Sequence, residues 1–79
     1  MKEERRKELL KIHKELLNLQ NKIEAITKEH QEEFDNKDIS FQERTCGAIM
    51  ERELGNLREA CYHLGVSTSY LFDSTYYTI

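Results

Sequence analysis

Two cysteines and three histidines are the side chains with the widest chemical range in this sequence, and their spacing limits what they can do. Cys61 and His63 stand two residues apart in a helix-forming stretch. On a helix they leave different sides and cannot close on one metal ion without ligands from elsewhere. Glu59 with His63, and His30 with Glu33, do share a helical face. Such a pair can make a local ion pair, but it supplies only half of a four-ligand site. A Cys–His nucleophile would further need a pocket that a chain this short has little room to build. Cys46 and Cys61 fall among apolar helical positions, where a thiol behaves as a small buried hydrophobe. These residues therefore imply no catalytic centre, no metal site and no cofactor.

Two further groups offer binding chemistry. Tyr70, Phe72, Tyr76 and Tyr77 cluster in the last ten residues. Tyrosine buries apolar area while keeping a hydroxyl for water or a partner, so these four are the candidate partner-binding residues. The stretch "STYYTI" also has the β propensity to add to a partner's sheet edge. The second group is Arg44, Arg52 and Arg58, which would supply phosphate contacts if the chain bound DNA. That alternative arises because Ala60, Cys61, Leu64, "LGVS" and Leu71 stand where a helix-turn-helix has its small and buried positions. In "GNLRE", Gly55 could end one helix while Asn56 caps the next. Two observations weigh against it. Ser67 to Ile79 holds no Lys or Arg, whereas DNA affinity comes mainly from cations on phosphate. In addition, the apolar steps through Met50, Leu54, Leu57, Cys61 and Leu64 keep one helical phase straight across Gly55 and Asn56.

The elements that would position these residues are helices. Leu9, Ile12, Leu16, Leu19, Ile23, Ile26 and His30 recur in alternating steps of three and four, a heptad seam with Leu9, Leu16, Ile23 and His30 at a and Ile12, Leu19 and Ile26 at d. Leu10 and Leu17 widen the stripe beyond what one partner helix covers. His30 at an a position could specify register, but Glu33 at the next d position is polar too. The seam is therefore expected to end there, with His30 exposed. The pattern predicts a helix over about 2–34, a turn over 35–39 built on "DNKD", and a second helix over about 40–64 opened by a Ser40–Glu43 capping box. Gly65 reads as a left-handed cap, leaving residues 66–79 as a tail or short third helix. Gly47 and Gly55 lie inside the second segment, and Gly47 falls at a core-facing position that suggests close packing. On these bounds the first helix would overhang the second.

The fold class expected is all-α: an antiparallel helical hairpin with a coiled-coil-like long first helix, a single domain over 1–79, assembled as a dimeric bundle. With 79 residues, 34% of them charged, the chain is near the limit for a self-sufficient core. Self-association through Leu9, Ile12, Leu16, Leu17, Leu19, Ile23 and Ile26 is the remedy expected. Met1 to Phe34 carries eight basic and eight acidic side chains, and Asp35 to Ile79 four and seven, so neither half is strongly basic. No run approaches a membrane span and no signal-peptide pattern opens the chain, so a cytoplasmic location is expected. The expected function is non-enzymatic: a small regulator, adaptor or inhibitor, of bacterial or phage style, that binds itself and another protein. The alternatives are a coiled-coil-dimerised DNA-binding regulator and a structural assembly factor.

Overall fold

The structure, a computed structural model, describes residues 1–76, with Tyr76 described by its backbone alone. Helix α1 spans Glu3–Asp35, a single turn α2 spans Ile39–Gln42, and α3 spans Thr45–Tyr76. All described regular structure is helical. The molecule measures 58 × 14 × 12 Å, the length of one long helix and the width of two.

Helix α1 forms where the heptad pattern places it, starting and ending within a residue of the expected bounds. Its exposed positions are Lys, Glu, Gln and Arg, all good helix formers, and Glu3 and Glu4 oppose the positive end of the helix dipole in the first turn. The restart differs from the sequence reading. Asp38, not Ser40, is the N-cap, its carboxylate accepting from the Phe41 amide at 2.7 Å. Ser40 lies inside the turn that Asp38 caps, so no Ser40–Glu43 box forms. Gln42 then ties the connection down: its Nε2 donates to the carbonyls of Phe34 and Lys37, each at 3.1 Å. Gly47 sits hard against this turn, since a Cβ there would lie 2.3 Å from the Gln42 carbonyl oxygen. Close packing at Gly47, read from its heptad position, is thus a property of the α2–α3 joint.

The larger correction concerns Gly65. It is not a left-handed cap: among the described residues no glycine has positive φ, and α3 continues through Gly55, Asn56 and Gly65 without a break. The residues expected to form a separate tail extend the helix to Tyr76. With 33 residues in α1 and 32 in α3, the two helices match in length, and the expected overhang does not exist. The cause is tertiary. Thr68, Leu71 and Thr75 carry the three-four spacing of Leu57, Cys61 and Leu64 onward, and the N-terminal half of α1 gives them about 25 Å of surface to lie on. The same continuity removes the helix-turn-helix, which needs a turn where α3 has none.

The contacts run in opposite directions along the two chains. His30 meets Glu53, a Cβ on Gly65 would touch the Gln20 side chain, His13 packs on Phe72, and Arg6 reaches Thr75. Helix α3 therefore returns antiparallel to α1. Fully buried hydrophobic residues gather at the closed end, where Phe34, Met50 and Leu54 pack with partly buried Phe41. Toward the chain termini the buried positions of α3 are Thr68 and Thr75. Their hydroxyls donate to the carbonyls of Gly65 and Phe72 at 2.8 and 2.7 Å, which satisfies them locally and turns the methyl groups to the packing.

Candidate functional site: two unlike faces of a helix pair

The side of α1 that meets α3 is not its a/d seam. Most of its partly or fully buried positions, Leu9, His13, Leu16, Gln20, Ile23, Thr27, His30 and Phe34, are a and e positions of the heptad, with Arg6 at e and Leu10 and Gln31 at b also partly buried. The d row is turned out: Ile12, Leu19 and Ile26 are 44%, 51% and 57% exposed. The helix has rolled by part of a turn relative to the seam the sequence suggests. On α3 the positions opposite are Gly65, which lies against Gln20, and Phe72, which packs on His13.

This roll gives the helix pair two unlike faces. On one, a shallow groove near the closed end is lined by Ile26, His30, Glu53, Asn56 and Leu57. Two heptad steps back from Ile26 lie Leu19 and Ile12, and two forward from Leu57 lie Leu64 and Leu71, all partly or largely exposed. This face carries one apolar row from each helix, with His30, Glu53 and Asn56 among them near the closed end. The opposite face is lined by Gln20, Glu24, Lys28, Gln31, Arg58, Tyr62 and Ser69, with Cys61 and Gly65 at its floor. Across it Arg58 donates to the Gln31 side-chain oxygen, and the Gln20 amide reaches Glu24 at 3.4 Å.

The expected self-association residues are therefore divided among three environments. Leu9, Leu16 and Ile23 border α3, Ile12, Leu19 and Ile26 line the apolar face, and Leu17 is exposed toward the polar side. The aromatic candidates divide too. Tyr70 is 70% exposed, whereas the Phe72 ring lies 5.4 Å from His13, centroid to centroid, with part of its surface open. The side chain of Tyr76 and all of Tyr77 lie outside the described residues. Leu71 is partly buried, as its lack of a polar end suggests. Arg44, in the link before α3, and Arg52 and Arg58, on different sides of α3, are exposed, with Arg58 engaged by Gln31.

Three further readings meet the coordinates. Cys46 is exposed rather than buried, because in the first turn of α3 it is Gly47, and not Cys46, that faces α2. Cys61 is partly buried, and both thiols are free. His30 is not an exposed seam end: its Nε2 lies 2.8 Å from the Glu53 carboxylate and bridges the two helices. Glu59 and His63 form the solvated i,i+4 pair expected, at 3.4 Å. Among the described residues no three His, Cys, Asp or Glu side chains converge on a common point, and no helix is long and apolar enough to cross a membrane. Sequence reasoning names Ile12, Leu19 and Ile26 among the self-association residues but misses that the rows part company, with Leu9, Leu16 and Ile23 turned to α3 and the d row left half open. The chain matches no family model, no curated protein and no solved structure.

Proposed function

We propose that this chain is a non-enzymatic helical protein that acts through protein–protein binding, as a regulator, adaptor or inhibitor, and that its antiparallel helical hairpin self-associates into a dimeric bundle. The observation that carries the reading is the amount and kind of surface left open. A compact folded chain of 9.4 kDa exposes about 5,000 Å² by the usual size scaling. This chain exposes 6391 Å², and much of its large apolar inventory, including Ile12, Leu19, Ile26, Ile49 and Tyr70, contributes to that surface. The rod shape accounts for much of the excess; what points to binding is that these large apolar side chains are left about half exposed or more on it. Tyr70 and the exposed part of Phe72, away from the Ile12–Leu19–Ile26 row, supply the aromatic contacts by which a second, different protein is held.

Sedimentation equilibrium at micromolar concentration tests the self-association: the expected species is heavier than the 9.4 kDa chain. A 9.4 kDa species throughout that range would refute it. Affinity capture with wild-type and Tyr70→Ser baits tests the second half. Proteins retained equally by both baits, or none beyond further copies of the chain, would count against Tyr70 as the binding residue.

A further inference from the structure

We infer that α3 is built in two parts with a boundary at Gly65, and that residues 66–76 open from α1 as one unit while the half of the hairpin around Phe34, Met50 and Leu54 stays closed. The inference rests on the packing of the single chain and does not depend on the binding proposed above.

Three observations set the boundary. The first is what the two halves bury. At the closed end the buried hydrophobic residues Phe34, Met50 and Leu54 hold α3 to α1. Beyond Gly65 the described buried positions are Thr68 and Thr75, whose single methyl groups offer little apolar area, and Leu71 is partly buried. Just across from Gly65, Gln20 contributes a buried Oε1 with no hydrogen-bond partner, an atom that packing leaves unsatisfied and opening returns to water.

The second observation is the helix itself. From Met50 to Leu64, ten of fifteen residues are Met, Glu, Arg, Leu or Ala, whereas of the eleven residues from Gly65 to Thr75 Leu71 alone is a strong helix former. Four hydroxyls of that stretch, on Thr68, Ser69, Ser74 and Thr75, donate to carbonyls three or four residues back. Such bonds satisfy the side chains and weaken the helix slightly. The stretch is therefore helical because α1 lies beside it, while α1, with Lys, Glu and Leu throughout its first half, needs no such support.

The third observation is how the end is held. The last described turn of α3 has no basic residue of its own, and Asp73 adds a negative charge near the negative end of the helix dipole. The cation comes from α1: Arg6, paired with Glu3 at 3.3 Å, donates from its Nε to the Thr75 carbonyl at 3.1 Å. Together with the Phe72 ring on His13, this bond fastens the open end. Release uncovers Leu9 and Leu16 beside Ile12 and Leu19, so that the a and d rows of α1 stand open together. Residues 66–76 are thus a strap that decides how much of the heptad seam the hairpin shows.

Native-state amide hydrogen exchange on the full chain, read residue by residue by NMR at one chain concentration, tests this. Amides of residues 68–75 are expected to be at least about tenfold less protected than those of 51–64, with the step near Gly65. Arg6→Gln is expected to speed exchange over 68–75 about fivefold and to leave 51–64 within about twofold. Ser69→Ala combined with Ser74→Ala, both exposed, is expected to slow 68–75 by about fivefold through helix propensity alone. Leu54→Val, a mild loss in the closed half, is expected to do the converse: about fivefold faster exchange over 51–64, with 68–75 unchanged. Protection that is level from 51 to 75, or that falls only in the last turn as in any fraying helix, overturns the boundary. Variants that shift both halves together overturn the separate unit, and an Arg6→Gln protein with unchanged exchange overturns the fastening by Arg6.

Discussion

The glycines of α3 offer a direct check on its geometry, because one substitution is expected to act with different signs along a single helix. A Cβ at Gly47 would lie 2.3 Å from the carbonyl oxygen of Gln42 and 2.6 Å from that of Phe41. Both obstacles are backbone, so no rotamer change relieves them, and the joint between α2 and α3 must open. Gly47→Ala is expected to cost about 3 kcal/mol, the upper end for overpacking a site. At Gly55 a Cβ meets nothing within 4 Å. Alanine there adds helix propensity and nothing else, a gain of about 1 kcal/mol. Gly65 is intermediate. Its Cβ would sit 3.1 Å from the Gln20 Nε2, the far end of a flexible side chain, so most of the propensity gain is returned in moving that amide. Gly65→Ala is expected to be neutral to stabilising by about 0.5 kcal/mol.

Thermal melts followed by far-ultraviolet circular dichroism resolve these differences, since about 1 kcal/mol moves Tm by roughly 4–8 °C in a chain this size. The melts must share one chain concentration, because the proposed self-association would make Tm depend on it. Gly55→Ala should rise, Gly47→Ala should fall by more than about 10 °C, and Gly65→Ala should stay close to wild type. The result that refutes the reasoning is a large fall for Gly65→Ala. A left-handed cap penalises any Cβ by about 1–2 kcal/mol, so such a fall would mean that the helix ends at Gly65.

Other outcomes follow from the same contacts. The Gln20 Oε1 is buried and has no hydrogen-bond partner, a state that costs about 1–3 kcal/mol. Gln20→Met, of similar length and without the amide, is expected to raise stability by about 1 kcal/mol in a urea melt, and a loss of that size would show the amide to be satisfied in solution. Cutting the chain after Ser67 removes partly buried Leu71, Phe72 against His13, and the Arg6–Thr75 bond. At half the full-burial value for each large side chain, the cost is roughly 2–3 kcal/mol, and a truncated protein that melts like the full chain would show that this part of α3 does not pack.

How much of this was legible in the sequence depends on whether the deciding contact is local. The bounds of α1 were readable because its apolar period and its helix-forming surface agree at every turn. The phase through Gly55 and Asn56 was readable for the same reason, and it outweighed the capping signal of "GNLRE". At "LGVS" the local signal pointed the other way. A Leu–Gly–Val sequence is a good place to stop a helix, and only the length of α1 alongside supplies a reason to continue. Ser40 lost to Asp38 over two residues, because Asp38 stands three before Phe41 and presents a charged acceptor to its amide. Such competition between neighbouring caps is decided by where the chain must turn, which Phe34 and Gln42 settle across the joint.

The candidate site was legible in composition and illegible in orientation. A heptad pattern states which positions of a helix are apolar, but not which neighbour each row meets. In α1 the a row and the e row of His13, Gln20 and Thr27 go to α3, and the d row lies at the edge of that contact, about half covered. Polar residues can occupy a helix contact when the opposing side is small or makes its own bonds. Thr27 donates to the Ile23 carbonyl at 2.7 Å, and Thr68 and Thr75 close the same kind of bond on α3. Each hydroxyl is then neutral to its neighbour, and the two helices can approach along a stripe that no hydropathy pattern would select. That choice leaves the d row only half used in the fold of the single chain. About half of the surface of Ile12, Leu19 and Ile26 is covered within the chain, and the other half is left to solvent. The half-open row of Ile12, Leu19 and Ile26 is the surface on which the proposed protein–protein binding rests.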